Sequence, residues 1–262
     1  KKGIHQVTIL VSSEKADKKK ILGNKQWEDI TAHPEKYDQS TIYLGRILLR
    51  GKPIPCERIK GVPKLPQQLK WEQKMKRYEK ADSINPPAKD LILFVGSSTM
   101  ENWKTLADDF PGKPVLNRGV SGTKTIDLIN YKDRLISPYH PKQIFVYEGD
   151  NDIGYQWTPD EILEQIKRLF FILRKEKPEA EIIFISIKPS VRRLKDKERI
   201  EQTNALIKEF VEQQMNTAYA DVYNPMFTPK GELFPEHYRE DGLHLTAEGY
   251  AVWKEVISKY IK

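Results

Sequence analysis

From about Pro86 onward, short apolar runs alternate with stretches whose apolar residues recur every three or four positions. Such an alternation of strand-like and helix-like segments is the mark of βαβ units, which set their strands parallel in one sheet. The apolar runs are 91–95 (LILFV), 114–116, 143–147, 181–187 (EIIFISI) and 218–222. LILFV and IIFISI show little inside–outside alternation, as expected of strands covered by helices on both faces. The patterns between the runs predict helices over 100–109, 125–135, 159–176, 197–214 and 247–261. Thr158-Pro159-Asp160-Glu161 supplies a helix cap followed by proline in the first turn, and Lys175-Glu176-Lys177-Pro178 supplies a stop.

Upstream, 66–84 reads as a helix with Leu69, Met75, Tyr78 and Ala81 near one face, entering the first strand through Asn85-Pro86-Pro87. Residues 1–65 have a different texture. The stretches 6–12 and 41–49 read as strands, and Gly51, Pro53, Pro55, Gly61, Pro63 and Pro66 punctuate the chain between them and the first helix. The expected organisation is a β-rich appendage over 1–65 and one α/β domain over 66–262, which 262 residues can accommodate. No internal repeat or low-complexity tract is present.

Charged residues make up 31% of the chain, and no apolar run approaches the roughly 20 residues that a membrane span requires. Cys56 is the only cysteine, which excludes an intrachain disulfide and a cysteine-built metal cluster. The net charge of +7 is unevenly placed: residues 1–90 carry 20 Lys and Arg against 11 Asp and Glu, the remainder 24 against 26. A basic N-terminal third can attract an acidic polymer or surface, but no nucleic-acid-binding motif accompanies it. A lysine-rich solvated surface is the simpler account. The chain opens Lys1-Lys2-Gly3 without Met, which reads as a processed product, and a secreted or periplasmic setting is favoured over a cytoplasmic one.

Four polar clusters fall just after apolar runs or close to the last helix: Gly96-Ser97-Ser98, Asn117-Arg118-Gly119-Val120-Ser121-Gly122, Gly149-Asp150-Asn151-Asp152 and Asp241-Gly242-Leu243-His244. A serine on a glycine turn between strand and helix sits at the carboxyl end of the sheet, although such serines also cap helices or bind phosphate. Asp241 and His244, three residues apart, can place a carboxylate against an imidazole and fix its tautomer. That couple can take and return a serine proton, although the same residues also suit a helix cap with an incidental histidine. Gly122 offers a backbone amide with no side chain in the way, and Asn151 a neutral side-chain donor. Both fit the stabilisation of a developing oxyanion, and both are also ordinary turn formers.

Taken in order, the four clusters resemble the blocks of the SGNH (GDSL-type) hydrolase family. The resemblance covers about residues 69–261 and extends to FVGSSTMENW, FPGKPVLNRGVSG, YEGDNDI, FISIKPS and EDGLHLTAEGY, which look like a bacterial branch of acetylhydrolase-like and carbohydrate esterases. It implies a flavodoxin-like three-layer α/β/α sandwich of about five parallel strands, with no metal or cofactor. It also implies Ser98 as nucleophile, His244 as base, Asp241 as its orienter, and an oxyanion hole built from the Ser98 and Gly122 amides and Asn151. One departure is that Ser97 stands where the usual motif has aspartate, and Thr99 where the branch has a third serine. Ser97 is therefore the rival nucleophile, and Ser98 is preferred because it stands two after Gly96.

The activity implied is hydrolysis of a carboxylic ester through an acyl-enzyme, with a short acyl or acetyl ester, on a carbohydrate or small molecule, as substrate. Ser97, Trp103, Asp150 and Trp157 are expected at the substrate, and Trp103, Tyr155, Trp157 and Tyr238 could form an aromatic wall for a sugar ring, though such aromatics also serve as plain packing. Transfer to an alcohol acceptor, lysophospholipase or thioesterase activity, and a non-catalytic glycan-binding module are the alternatives. For 1–65 the choices are a polymer-binding appendage or a structural brace; the oligomeric state stays open.

Overall fold

The computed structural model describes residues 47–49, 52–54 and 66–262. The chain divides into two compact units, Lys1–Lys64 and Leu65–Lys262. In the first, β1 (Ile47–Leu49) and β2 (Lys52–Ile54) pair as an antiparallel hairpin. The strand expected over 6–12 lies outside the described residues, and the one over 41–49 is described only at 47–49.

In the second unit, α1 (Pro66–Ile84) leads into a sheet of β3 (Leu91–Gly96), β4 (Val115–Gly119), β5 (Pro141–Tyr147), β6 (Glu181–Ile185) and β7 (Thr217–Ala220). All neighbours are parallel, in the order β4-β3-β5-β6-β7. This is the flavodoxin-like, doubly wound α/β order. The run LILFV shows why both faces are covered. Leu91, Leu93 and Val95 enter one apolar cluster, while Ile92 and Phe94 enter the other.

The first cluster joins the sheet to α1, α4 (Thr125–Leu135), α6 (Pro159–Glu176) and α7 (Lys197–Glu212). The second joins it to α2 (Ser98–Asn102), α3 (Leu106–Asp109) and α8 (Ala247–Ser258). A short helix, α5 (Asp150–Gly154), follows β5. Side chains such as Phe94, Ile144 and Phe184 are completely buried, and each such burial contributes about 1.5–3 kcal/mol. Among the described residues no helix is long and apolar enough to cross a membrane.

The helix expected over 100–109 is instead two, broken around Trp103. The amide group of Asn117, on β4, donates to the carbonyls of Met100 at 2.6 Å and Trp103 at 3.4 Å. It thereby satisfies acceptors at the end of α2 that continued helix would otherwise need. β3 lies between β4 and β5, so the chain leaves it to opposite sides. The crevice at such a switch point opens at the carboxyl ends of the strands, where Ser98, Gly122 and Asn151 follow β3, β4 and β5.

Candidate active site

Ser98 is the first residue of α2, reached through a turn that only glycine permits. Gly96 has φ +150°, and a Cβ there would lie 2.2 Å from the Tyr147 carbonyl oxygen. The Ser97 amide donates to that same oxygen at 3.3 Å, and the Ser97 carbonyl accepts from the Glu101 amide at 3.1 Å. The strand end and the first helical turn are thus pinned together, which fixes where the Ser98 side chain leaves the backbone.

His244 Nε2 stands 3.0 Å from Ser98 Oγ. On its other side His244 Nδ1 is 2.5 Å from Asp241 Oδ2. Asp241 Oδ1 accepts from the backbone amides of Leu243 and His244, each at 2.9 Å. Burial pushes the Asp241 carboxyl up, but the His244 amide and ring and the Leu243 amide outweigh it and hold it well below the usual carboxylate range. The turn itself is fastened: the Arg239 amide donates to the His244 carbonyl at 2.8 Å and the Gly242 amide to the Arg239 carbonyl at 2.8 Å. An imidazole so oriented can accept a hydroxyl proton while the carboxylate stabilises the resulting charge.

The loops after β4 and β5 meet beside this turn of α2. The Val120 amide donates to the Gly96 carbonyl at 2.8 Å, and the Ser121 amide to Glu101 Oε2 at 2.6 Å. From α1, Trp71 Nε1 and Gln67 Nε2 donate to the Ser121 carbonyl at 2.9 and 3.1 Å. Gly122 comes next with φ +82°, and a Cβ there would press on the Gln67 side-chain amide at 2.7 Å. Asn151 Nδ2 donates to the Thr123 carbonyl at 2.8 Å, which leaves its second hydrogen free to point elsewhere. Among the described residues no acceptor pairs with the Ser98 and Gly122 amides. Unpaired donors of this kind are what an oxyanion requires.

A family model, that of the GDSL-like lipase/acylhydrolase family, matches residues 94–252. The chain belongs to this family. A Streptococcus pneumonia protein named for platelet activating factor is 25% identical, with a TM-score of 0.67 over 75% of this chain and 94% of that one. An acetyl xylan esterase from Geobacillus stearothermophilus shares the fold at 16% identity, with a TM-score of 0.56 over 66% of this chain and 94% of that one. A curated N-acylneuraminate cytidylyltransferase from Escherichia coli is 23% identical over 209 residues, 75% of this chain. The chain spans about half that relative's length, 48%.

Three of the side chains expected at the substrate are buried instead. Trp103 is 1% exposed, donates through Nε1 to Asp109 Oδ2 at 2.7 Å, and packs among Phe94, Phe110, Tyr250 and Trp253. Asp150 is 3% exposed and gives one carboxylate oxygen to Arg193 Nε at 2.5 Å and the other to Lys188 Nζ at 3.2 Å. Ser97 is 1% exposed, and the imidazole bonds its neighbour instead. Of the proposed aromatic wall, Tyr238 is also buried, donating to the Pro189 carbonyl at 3.0 Å. Trp157 is partly buried against the first apolar cluster, and the Lys124 ammonium lies 4.4 Å from the Tyr155 ring centre.

Several supports carried no role in the sequence reading. Glu101, salt-bridged to Lys74 at 3.1 Å, receives the Ser121 amide; burial pushes its carboxyl up, but the Ser121 amide and Lys74 bring it below its ordinary value. Lys188 is fully buried; burial lowers its ammonium while Asp150 opposes that shift. The segment after it reaches the turn that holds Asp241 and His244, the Arg192 amide donating to the Gly242 carbonyl at 2.9 Å. The signal was a lysine and proline ending the apolar run FISIKPS, which sequence alone does not pair with Asp150.

Proposed function

We propose that the hydrolase is a serine esterase that cleaves short acyl, above all acetyl, esters of polar alcohols such as carbohydrates through an acyl-enzyme. The observation that carries this reading is the alignment of Ser98 Oγ, the His244 ring and Asp241, at 3.0 and 2.5 Å. Ser98 Oγ attacks the ester carbonyl carbon as His244 Nε2 takes the hydroxyl proton. The carbonyl oxygen becomes an oxyanion held by the Ser98 and Gly122 amides and by Asn151 Nδ2. Collapse expels the alcohol, which receives the proton from His244. Water, deprotonated by the same imidazole, then attacks the acyl-serine and releases the acid.

The acyl and alcohol assignments rest on two likenesses: an acetyl xylan esterase shares the fold, and the curated relative is named for an acylated sugar. Residues 66–262 are read as the catalytic domain and 1–65 as an appendage. One observation favours a second reading with longer acyl chains. Val191 and Leu194 are 47% and 52% exposed, and Val191 lies against Gly242 of the catalytic turn. An apolar rim there suits the acyl chain of a lysophospholipid or thioester.

Acetate release from acetylated xylan, acetylated sugars and p-nitrophenyl acetate, run beside an ester series from two to twelve carbons, separates the two. Rates highest at two carbons support the first reading; a maximum at eight or more supports the second. Ser98→Ala should abolish turnover while Ser97→Ala retains it. A protein that cleaves none of these esters overturns the serine-esterase assignment, and one silenced only by Ser97→Ala moves the nucleophile to Ser97.

A further inference from the structure

A buried acid with no part in the ester chemistry lies directly behind the oxyanion donors. Glu148, at the end of β5, is 0% exposed. Its Oε1 is 2.8 Å from Thr123 Oγ1, and its Oε2 has no hydrogen-bond partner. Thr123 Oγ1 is also 2.9 Å from the Val120 carbonyl oxygen. A hydroxyl has one hydrogen, and a carbonyl can only accept. If that hydrogen goes to Val120, the short contact to Glu148 needs a hydrogen from the glutamate.

Thr123 is a junction between the two loops. It is the residue after Gly122, and its carbonyl accepts from Asn151 Nδ2. We propose that Glu148 is a positioning residue: as a neutral carboxylic acid it donates to Thr123 Oγ1, and so sets the placement of both the Gly122 amide and the Asn151 side chain. This rests on the reading of those two groups as oxyanion donors.

The surroundings agree with a neutral acid. The titratable groups that face Glu148 are carboxyls: Asp152 and Asp150 on α5 and Asp127 on α4. Of the cations in that network, Lys188 and Arg193 are bound to Asp150, and Lys124 acts on Asp152 and Asp127. Burial first, and Asp152 next, raise the Glu148 carboxyl well above its ordinary value. A bare carboxylate with one unpaired oxygen at full burial is strongly disfavoured. Among the described residues, no cluster of His, Cys, Asp and Glu could hold a metal ion that would compensate it.

The test compares Glu148→Gln, which keeps an N–H donor for Thr123, with Glu148→Leu, which keeps the bulk and removes the donor. Both are assayed on p-nitrophenyl acetate beside wild type and Ser98→Ala. Glu148→Gln should keep kcat within about 3-fold of wild type, whereas Glu148→Leu should lose about 10–100-fold in kcat with KM within about 2-fold. Glu148→Gln should also hold its kcat into alkaline pH where wild type declines. Wild-type kcat in Glu148→Leu, or equal losses in Gln and Leu, overturns the proposal. If Glu148→Leu does not fold, Thr123→Val carries the same expectation, and wild-type kcat there overturns it. Turnover by wild type but not by Ser98→Ala keeps the esterase reading standing whatever the Glu148 variants do.

Discussion

Gly119 Cα lies so close to the Glu101 amide that a Cβ there would come within 2.2 Å of its nitrogen. The end of β4 and the body of α2 therefore touch backbone to backbone, and Ser98 sits on the element held there. Gly119→Ala must push α2 away, at a cost of about 1–3 kcal/mol typical of overpacking. It should also move Ser98 off the His244 axis, where a shift of about 1 Å can lower the rate roughly 100-fold. Thermal unfolding and steady-state kinetics of the variant check both effects.

On the proposed mechanism, Asn151→Ala removes one oxyanion donor and leaves the serine, histidine and aspartate in place. Losing such a donor lowers kcat by about 10²–10³-fold. KM should stay within a few-fold, because the lost bond strengthens only as the oxyanion forms. Parallel falls in kcat and affinity would instead place Asn151 at the ground-state substrate.

Asp241→Asn keeps the shape of the turn but removes the charge beside Nδ1. The amide can present its N–H to the imidazole, which then offers the wrong tautomer to Ser98. A loss of roughly 10³–10⁴-fold in kcat is expected. Fluorophosphonate labelling of Ser98 should slow in step. Unchanged labelling would detach the carboxylate from nucleophile activation.

Asp150 gives a pH signature in stability rather than activity. Burial raises its carboxyl, but Lys188 and Arg193 outweigh burial and bring it to about 2. A carboxyl lowered by folding contributes its full stability above its unfolded value of roughly 4, and that contribution fades as pH falls through about 2. Removing one side of a buried pair costs about 3–5 kcal/mol. The melting-temperature gap between wild type and Asp150→Asn should therefore be full at pH 6 and narrow below pH 4. A gap that stays constant to pH 2.5 would mean that the pair does not titrate in this window.

The parallel sheet and the four polar clusters were legible because their signals are local. Apolar runs mark strands, and glycines such as Gly96 mark turns that no other residue can make. α1, α4 and α6 have the bounds that their periodicity and caps imply. The break at Trp103 was not legible, because its cause is an Asn117 side chain from another strand. A tryptophan near a strand end reads alike whether it meets a sugar or the core, which is why the burial of Trp103 had to be seen. The same holds for Asp150, whose partners Lys188 and Arg193 lie 38 and 43 residues away. The hydrogen count around Glu148 depends on two distances that a string of letters does not contain.

The Ser98 hydroxyl and the His244 imidazole, 3.0 Å apart in space, stand 146 positions apart in the chain. During synthesis the serine emerges long before the histidine, and contacts of such long range are among the slowest to form. A chain still growing therefore carries an ordinary alcohol, and on the proposed mechanism ester cleavage begins only once folding has brought the imidazole to it. Activity in this protein is in effect a readout of having folded.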